Sequence, residues 1–114
     1  MTTSEIATVL AWHDALNTAD LDTLAALSSD DIEMGDAHGA AQGHQALRNW
    51  ATSRPAATEL GQMYVHDGVV VAEQQGAGAL AFRVVHDHVT SVFRHQDLAS
   101  ALAATELTQA DLVT

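Results

Sequence analysis

Ser29-Asp30-Asp31-Ile32-Glu33-Met34-Gly35-Asp36-Ala37-His38 is the stretch that decides the fold. Side chains alternate faces along a strand, so Ile32, Met34, Asp36 and His38 fall on one side and Glu33, Gly35 and Ala37 on the other. An apolar row that ends in an acid and a base reads as a strand running from the core to a polar rim. A carboxylate in that position stays wet, finds a partner or holds its proton tightly, because burying an isolated charge is prohibitive. Asp36 and His38 are therefore the candidate catalytic pair, with Asp36 as general base. A hydrogen bond from His38 would favour the ionised acid and apolar burial the protonated one, and the balance sets whether Asp36 can take up a proton near neutral pH.

Upstream of this strand the pattern is helical. Thr2 and Glu5 have capping-box spacing, and Ile6, Val9, Leu10, His13 and Leu16 follow at helical intervals, predicting a helix to about Asn17. Asp20 caps a second, shorter helix bearing Leu21, Leu24, Ala25 and Leu27. Downstream, Gly39 and Gly43 bracket a loop. His44 to Ala51 then reads as a third helix, with Leu47, Trp50 and Ala51 inward, which Pro55 closes.

From there the period changes to two. Glu59 to His66, Val69 to Gln75, Leu80 to His86 and Val89 to His95 are four strands of an antiparallel meander, joined by Asp67-Gly68, by Gly76-Ala77-Gly78 and by a turn near Asp87. Asp97 caps a last helix carrying Leu98, Ala101 and Leu102. This order gives an α+β domain spanning residues 1–107, a cone-shaped, curved antiparallel sheet with about three helices packed on its concave face; residues 108–114 form a tail without an assignment. A bent sheet that its helices do not fill leaves a hollow, and a mostly apolar hollow with few polar groups is where small molecules bind.

The 114 residues suit one domain. With no lysine, four arginines and a formal net charge of −11, the chain repels phosphate backbones and anionic lipid, so neither nucleic acid nor a membrane surface is an expected partner. No apolar run approaches the roughly 20 residues of a membrane helix, and the first residues lack a basic start and an apolar core, which leads to the expectation of a cytoplasmic protein. The absence of cysteine removes disulfides, thiol catalysis and thiolate zinc sites. His86 and His88 are two apart, but they flank a turn and no third ligand follows at fixed spacing, so no metal and no cofactor are expected. No phosphate loop or nucleophile elbow is present.

Taken together, Ser29 to Asp36, Gly39, Gly43-His44-Gln45-Ala46-Leu47 and Val89 to Leu98 resemble the nuclear-transport-factor-2-like superfamily, and within it the polyketide-cyclase-like (SnoaL-like) branch. The resemblance covers roughly Ile6 to Leu107. It implies a cone-shaped domain, often a homodimer through the sheet, whose members include isomerases, dehydratases, cyclases, epoxide hydrolases and non-catalytic binders. It places Asp36 where the steroid-isomerase branch carries its general base, and Trp12 near that branch's oxyanion-donating tyrosine. The branch's second donor, an acid, is expected near Ala79, where this chain has none. The Asp-Arg-Asp arrangement of the epoxide hydrolases finds partial counterparts in Arg83, Arg94 and Asp97.

The expected activity is that of a pocket protein for a small apolar molecule, with isomerase, cyclase or hydratase chemistry or simple binding and dimerisation as the alternatives. Trp12 or His95 would donate to a developing oxygen charge and Tyr64, Phe82 and Phe93 would form apolar walls. On the last strand Val89, Ser91, Phe93 and His95 share a face by simple alternation, with Thr90, Val92 and Arg94 on the other.

Overall fold

A computed structural model describes residues 2–36, 39–52, 59–74 and 78–113. In chain order these form α1 (Thr2–Asn17), α2 (Leu21–Ala26), β1 (Ser28–Asp36), β2 (Gly39–Gln42), α3 (His44–Thr52), β3 (Leu60–His66), β4 (Val69–Gln74), β5 (Gly78–Val85), β6 (His88–His95), α4 (Leu98–Thr105), a 3₁₀ turn (Gln109–Asp111) and β7 (Leu112–Val113). The strands make one curved, unclosed sheet in the order β2-β1-β6-β5-β4-β3-β7. All neighbours are antiparallel except β1 and β6, which run parallel. Among the described residues no helix is long and apolar enough to cross a membrane.

Local chemistry accounts for most boundaries. The Asp20 side chain accepts the Thr23 backbone N–H and so caps α2. Asp97 caps α4 in the same way, accepting from Ser100 N at 2.7 Å. Glu5, expected to serve the start of α1, instead accepts the Gly68 N–H at 3.0 Å and ties α1 to the β3–β4 turn. The turn after β5 places His86 and Asp87 at φ of 51° and 64°, the left-handed pair that matches a two-residue hairpin to the sheet twist.

Two segments differ from the sequence reading. The expected loop from Gly39 to Gly43 contains β2, which pairs with β1 from Glu33↔Gln42 to Asp36↔Gly39. Its four residues are all exposed, so no apolar alternation announced a strand; only pairing with β1 makes it one. The tail likewise becomes β7, pairing Tyr64↔Leu112 and Met63↔Val113.

The sheet carries helices on both faces. Val9, Trp12 and Leu16 of α1, Leu24 of α2 and Leu47 of α3 pack on Ile32, Met34, Val70, Leu80, Phe82 and Val92, forming the inner core. The residues that alternate with these, among them Tyr64, Val71, Ala79 and Ala81, form a second layer under Ala101 of α4 and Leu107. Thus α4 does not join α1–α3 on the concave side but lies on the outer face.

A bulge sets which side chains of β6 face which layer. Arg83 pairs with Ser91, yet Val84 pairs with Val89, leaving Thr90 as the extra residue. Val89 is therefore inward with Val84, while Ser91, Phe93 and His95 are outward beside Arg83, Ala81 and Ala79. Simple alternation had put Val89 on the same face as Phe93 and His95; the extra residue breaks that phase, because one inserted position turns every later side chain over.

The outward Phe93 ring needs a residue without a side chain below it. A Cβ on Gly35 would sit 2.9 Å from the Gly39 carbonyl oxygen and 2.9 Å from Phe93 Cε2, so Gly35→Ala should cost about 1–3 kcal/mol in urea unfolding, as overpacked sites do. The Asp97 carboxyl is held below the ordinary carboxylate range chiefly by the Ser100 backbone hydrogen bond, then by the Ser100 hydroxyl and the charge of His95. A depressed folded value means that the cap's contribution is complete above the ordinary carboxylate range and is lost as pH falls through the lowered value. Thermal melts over a pH series should therefore show an advantage of the wild type over Asp97→Asn that disappears on acidification.

Candidate functional site

The inner side of the cone is built around Trp12, which α1 drives into the centre with complete burial. Its ring meets Phe82 edge-on at 5.4 Å and Trp50 at 6.0 Å. The indole Nε1–H donates to Ser28 Oγ at 2.9 Å, and that hydroxyl donates onward to the Leu24 carbonyl at 2.7 Å. Trp12 thus fastens α1 to the start of β1, and its donor is already engaged. Phe82 is equally a core residue.

Beyond the aromatic trio lies a cation. Arg94 alternates with the core residue Val92, so it projects to the inner face opposite Leu80, and its guanidinium sits 5.7 Å from the Trp50 ring centroid. It is half-buried, and its Nε has no hydrogen-bond partner among the described residues. None of the ion pairs among the described residues involves it. In a chain with 15 acidic residues, an inward guanidinium with no ion pair among the described residues stands out. The parallel register runs Met34↔Val92 and Gly35↔Phe93, so Asp36 and Arg94 are the next residues along two adjacent strands. The Asp36 side chain and the whole of His38 lie outside the described residues.

The other residues expected at one pocket are distributed over the opposite face. Tyr64 is buried in the outer layer against Val71, with its hydroxyl 3.4 Å from Gln62 Oε1. Phe93 and His95 are half-buried and line a groove of about 470 Å³ between β5, β6 and the C-terminal end of α4. Arg83, Ser91 and Glu106 bring polar groups to the same groove, and the small Ala81 leaves room at its floor. Ala79, the position of the missing second donor, is completely buried in the outer layer.

His86 and His88 are exposed on their turn, with His88 Nδ1 2.9 Å from the His86 carbonyl oxygen. Among the described residues no three His, Asp or Glu side chains come together as a metal-binding group. Arg94, offered by the family resemblance only as part of an epoxide-hydrolase arrangement, is the residue that the structure brings to the inner face. The signal was there, since a charge alternating with a core valine on a strand is a charge on the core side.

The fold these elements define is the nuclear-transport-factor-2-like fold, and solved structures share it across most of the chain. A protein of that type and of unknown function from Cytophaga hutchinsonii superposes with a TM-score of 0.73 at 14% identity, covering 84% of this chain and 92% of the other. An LEH-like epoxide hydrolase of M. tuberculosis gives 0.71 at 19% identity, over 91% and 96% of the two chains. A SnoaL-like protein of unknown function from Burkholderia thailandensis gives 0.66 at 19%, over 83% and 96%. No protein-family model matches the sequence, and no curated protein does.

The Trp12–Ser28 bond makes a direct prediction. Trp12→Phe keeps an aromatic ring beside Phe82 but removes the donor to a buried hydroxyl, and should cost about 1–3 kcal/mol in denaturant unfolding. Trp12→Ala, which also opens a cavity, should cost about 3–5 kcal/mol. No loss in Trp12→Phe would mean that the hydrogen bond carries no stability.

Proposed function

We propose that this chain binds a small, largely apolar molecule on the inner side of the cone, at the end where β1 finishes, and that Asp36 acts there as general base with His38 beside it. The observation that carries this reading is Arg94, half-buried over Trp50 and next along β6 from the residue that pairs with Gly35. A guanidinium on an aromatic face suits a ligand oxygen that gains negative charge as a proton is removed from a neighbouring carbon, or as water adds to a strained ring. Arg94 thereby takes the part expected of Trp12, whose N–H is committed to Ser28. The epoxide hydrolase among the structural neighbours supports hydration as one form of this chemistry.

A non-catalytic binding or dimerisation module is the second reading, and a separate observation supports it. The tightly packed Trp12, Phe82 and Trp50 rings and the buried Ala79 leave no second oxyanion donor of the isomerase type among the described residues. For a second copy, the outer sheet over β1 and β2 is one part that lies beyond the strands on which α4 mainly packs, β4 to β6.

A thermal-shift screen with steroids, small epoxides and polyketide-like aromatics tests the first reading. A ligand at one hundred times its Kd should add about 2.7 kcal/mol of stability to the folded form. Asp36→Asn should keep that shift and lose turnover, whereas Arg94→Gln should weaken binding of oxygen-bearing ligands by about tenfold. Ligand binding without turnover by the wild type would favour the binding module, and binding unchanged in Arg94→Gln would remove Arg94 from the site.

A further inference from the structure

The groove on the outer face has a chemistry of its own, separate from the inner site by the thickness of the sheet. Its volume of about 470 Å³ lies within the range of small-molecule sites. The hollow exists because Ala81 is small where its neighbour across β6 is Phe93, and because Phe93 is itself held down over Gly35. One wall is therefore a half-buried aromatic ring. The rim carries opposite charges, with the exposed Arg83 on β5 and Glu106 just after α4.

Arg83 and Glu106 do not pair with each other or with any other group among the described residues. Both charges are therefore available to a ligand. A simple anion would approach Arg83 against a net charge of −11, and would also meet Glu106. A simple cation would meet Arg83. A molecule that carries both charges and has an apolar body is neutral overall, can satisfy each side chain, and lays its apolar part against Phe93.

The backbone at Glu106 bears on how the groove can be tested. It occupies the C-cap of α4 at φ 62°, the left-handed conformation in which glycine is the usual residue and any other is strained. A carboxylate is thus kept at a position where the backbone favours the absence of a side chain. Ala19, Asp67, His86 and Asp87 adopt the same positive φ in turns, so the conformation is a backbone cost that glycine would relieve and not in itself a mark of a site.

We infer that the groove between β5, β6 and the end of α4 binds a small zwitterion with an apolar body, of the amino-acid class, with Arg83 taking its carboxylate, Glu106 its ammonium group and Phe93 its apolar part. Ser91 and His95 supply further hydrogen bonds from β6.

The test uses the full chain and three probes sharing one skeleton: phenylalanine, 3-phenylpropionate and 2-phenylethylamine, titrated at neutral pH and followed by amide chemical shifts. Phenylalanine should bind about fivefold tighter than either singly charged analogue, the increment of one exposed charge pair, with the largest shifts at Ala81, Ser91, Phe93 and Glu106. Arg83→Gln should bring phenylalanine to the level of phenylethylamine. Glu106→Gly should bring it to the level of phenylpropionate while raising the Tm, because glycine adopts the left-handed backbone without strain. Arg94→Gln, on the other face, should change none of these affinities. The inference is overturned if the three probes bind equally, if none binds up to millimolar concentration, if the shifts map to Trp12 and Trp50, or if sedimentation shows a dimer whose interface covers Phe93 and His95.

Discussion

The extra residue at Thr90 is the constraint on which the arrangement of side chains rests. Strand β6 lies between β1 and β5, so its phase determines what each neighbouring face receives. With the bulge, Val89 and Val92 both reach the inner core although they are three residues apart, a spacing that no regular strand allows. The same displacement turns Phe93 and His95 away from Trp12 and brings Arg94 toward it. One inserted residue therefore separates an apolar core edged by Arg94 from an outer groove with mixed charges.

The two faces are stabilised differently. On the inner side, Trp12 joins three elements at once: it packs on Phe82 of β5 and Trp50 of α3 and is hydrogen-bonded to Ser28 at the head of β1. Burial of a ring of this size is worth several kcal/mol, and its polar atom is satisfied, so the centre of the cone is well packed and chemically quiet. On the outer side Ala79, Ala81 and Ala101 stand among Tyr64, Val71 and Leu107 beneath one short helix, and the small residues fill less space. A groove remains there for the plain reason that small side chains on the sheet meet a helix that ends too soon.

Charge follows the same division. Most of the 15 acidic residues stay in water, where their repulsion is screened. Against that background each arginine that the fold draws to a surface feature is informative. Arg94 lies over Trp50 inside the cone, and Arg83 stands on the rim of the groove. The three solved structures compared above share its fold at identities of only 14% to 19%, so these placements are read from this chain's own side chains.

Much of this architecture is legible in the amino-acid sequence alone, because helix caps and hydrophobic periods are local. Asp20 and Asp97 mark their helices, Trp50 falls on the inward stripe of α3, and the change to period two announces the meander of β3 to β6. What only the tertiary structure decided involves partners distant in the chain. Residues 39–42 are a strand because β1 offers hydrogen bonds, α4 takes the outer face because the alanine layer is there to receive it, and Thr90 bulges because β5 and β6 would otherwise pair out of phase. A period read along one strand assumes that the strand is regular. Whether it is depends on the register of its neighbours, which is why the order of elements was readable and the faces of Phe93 and His95 were not.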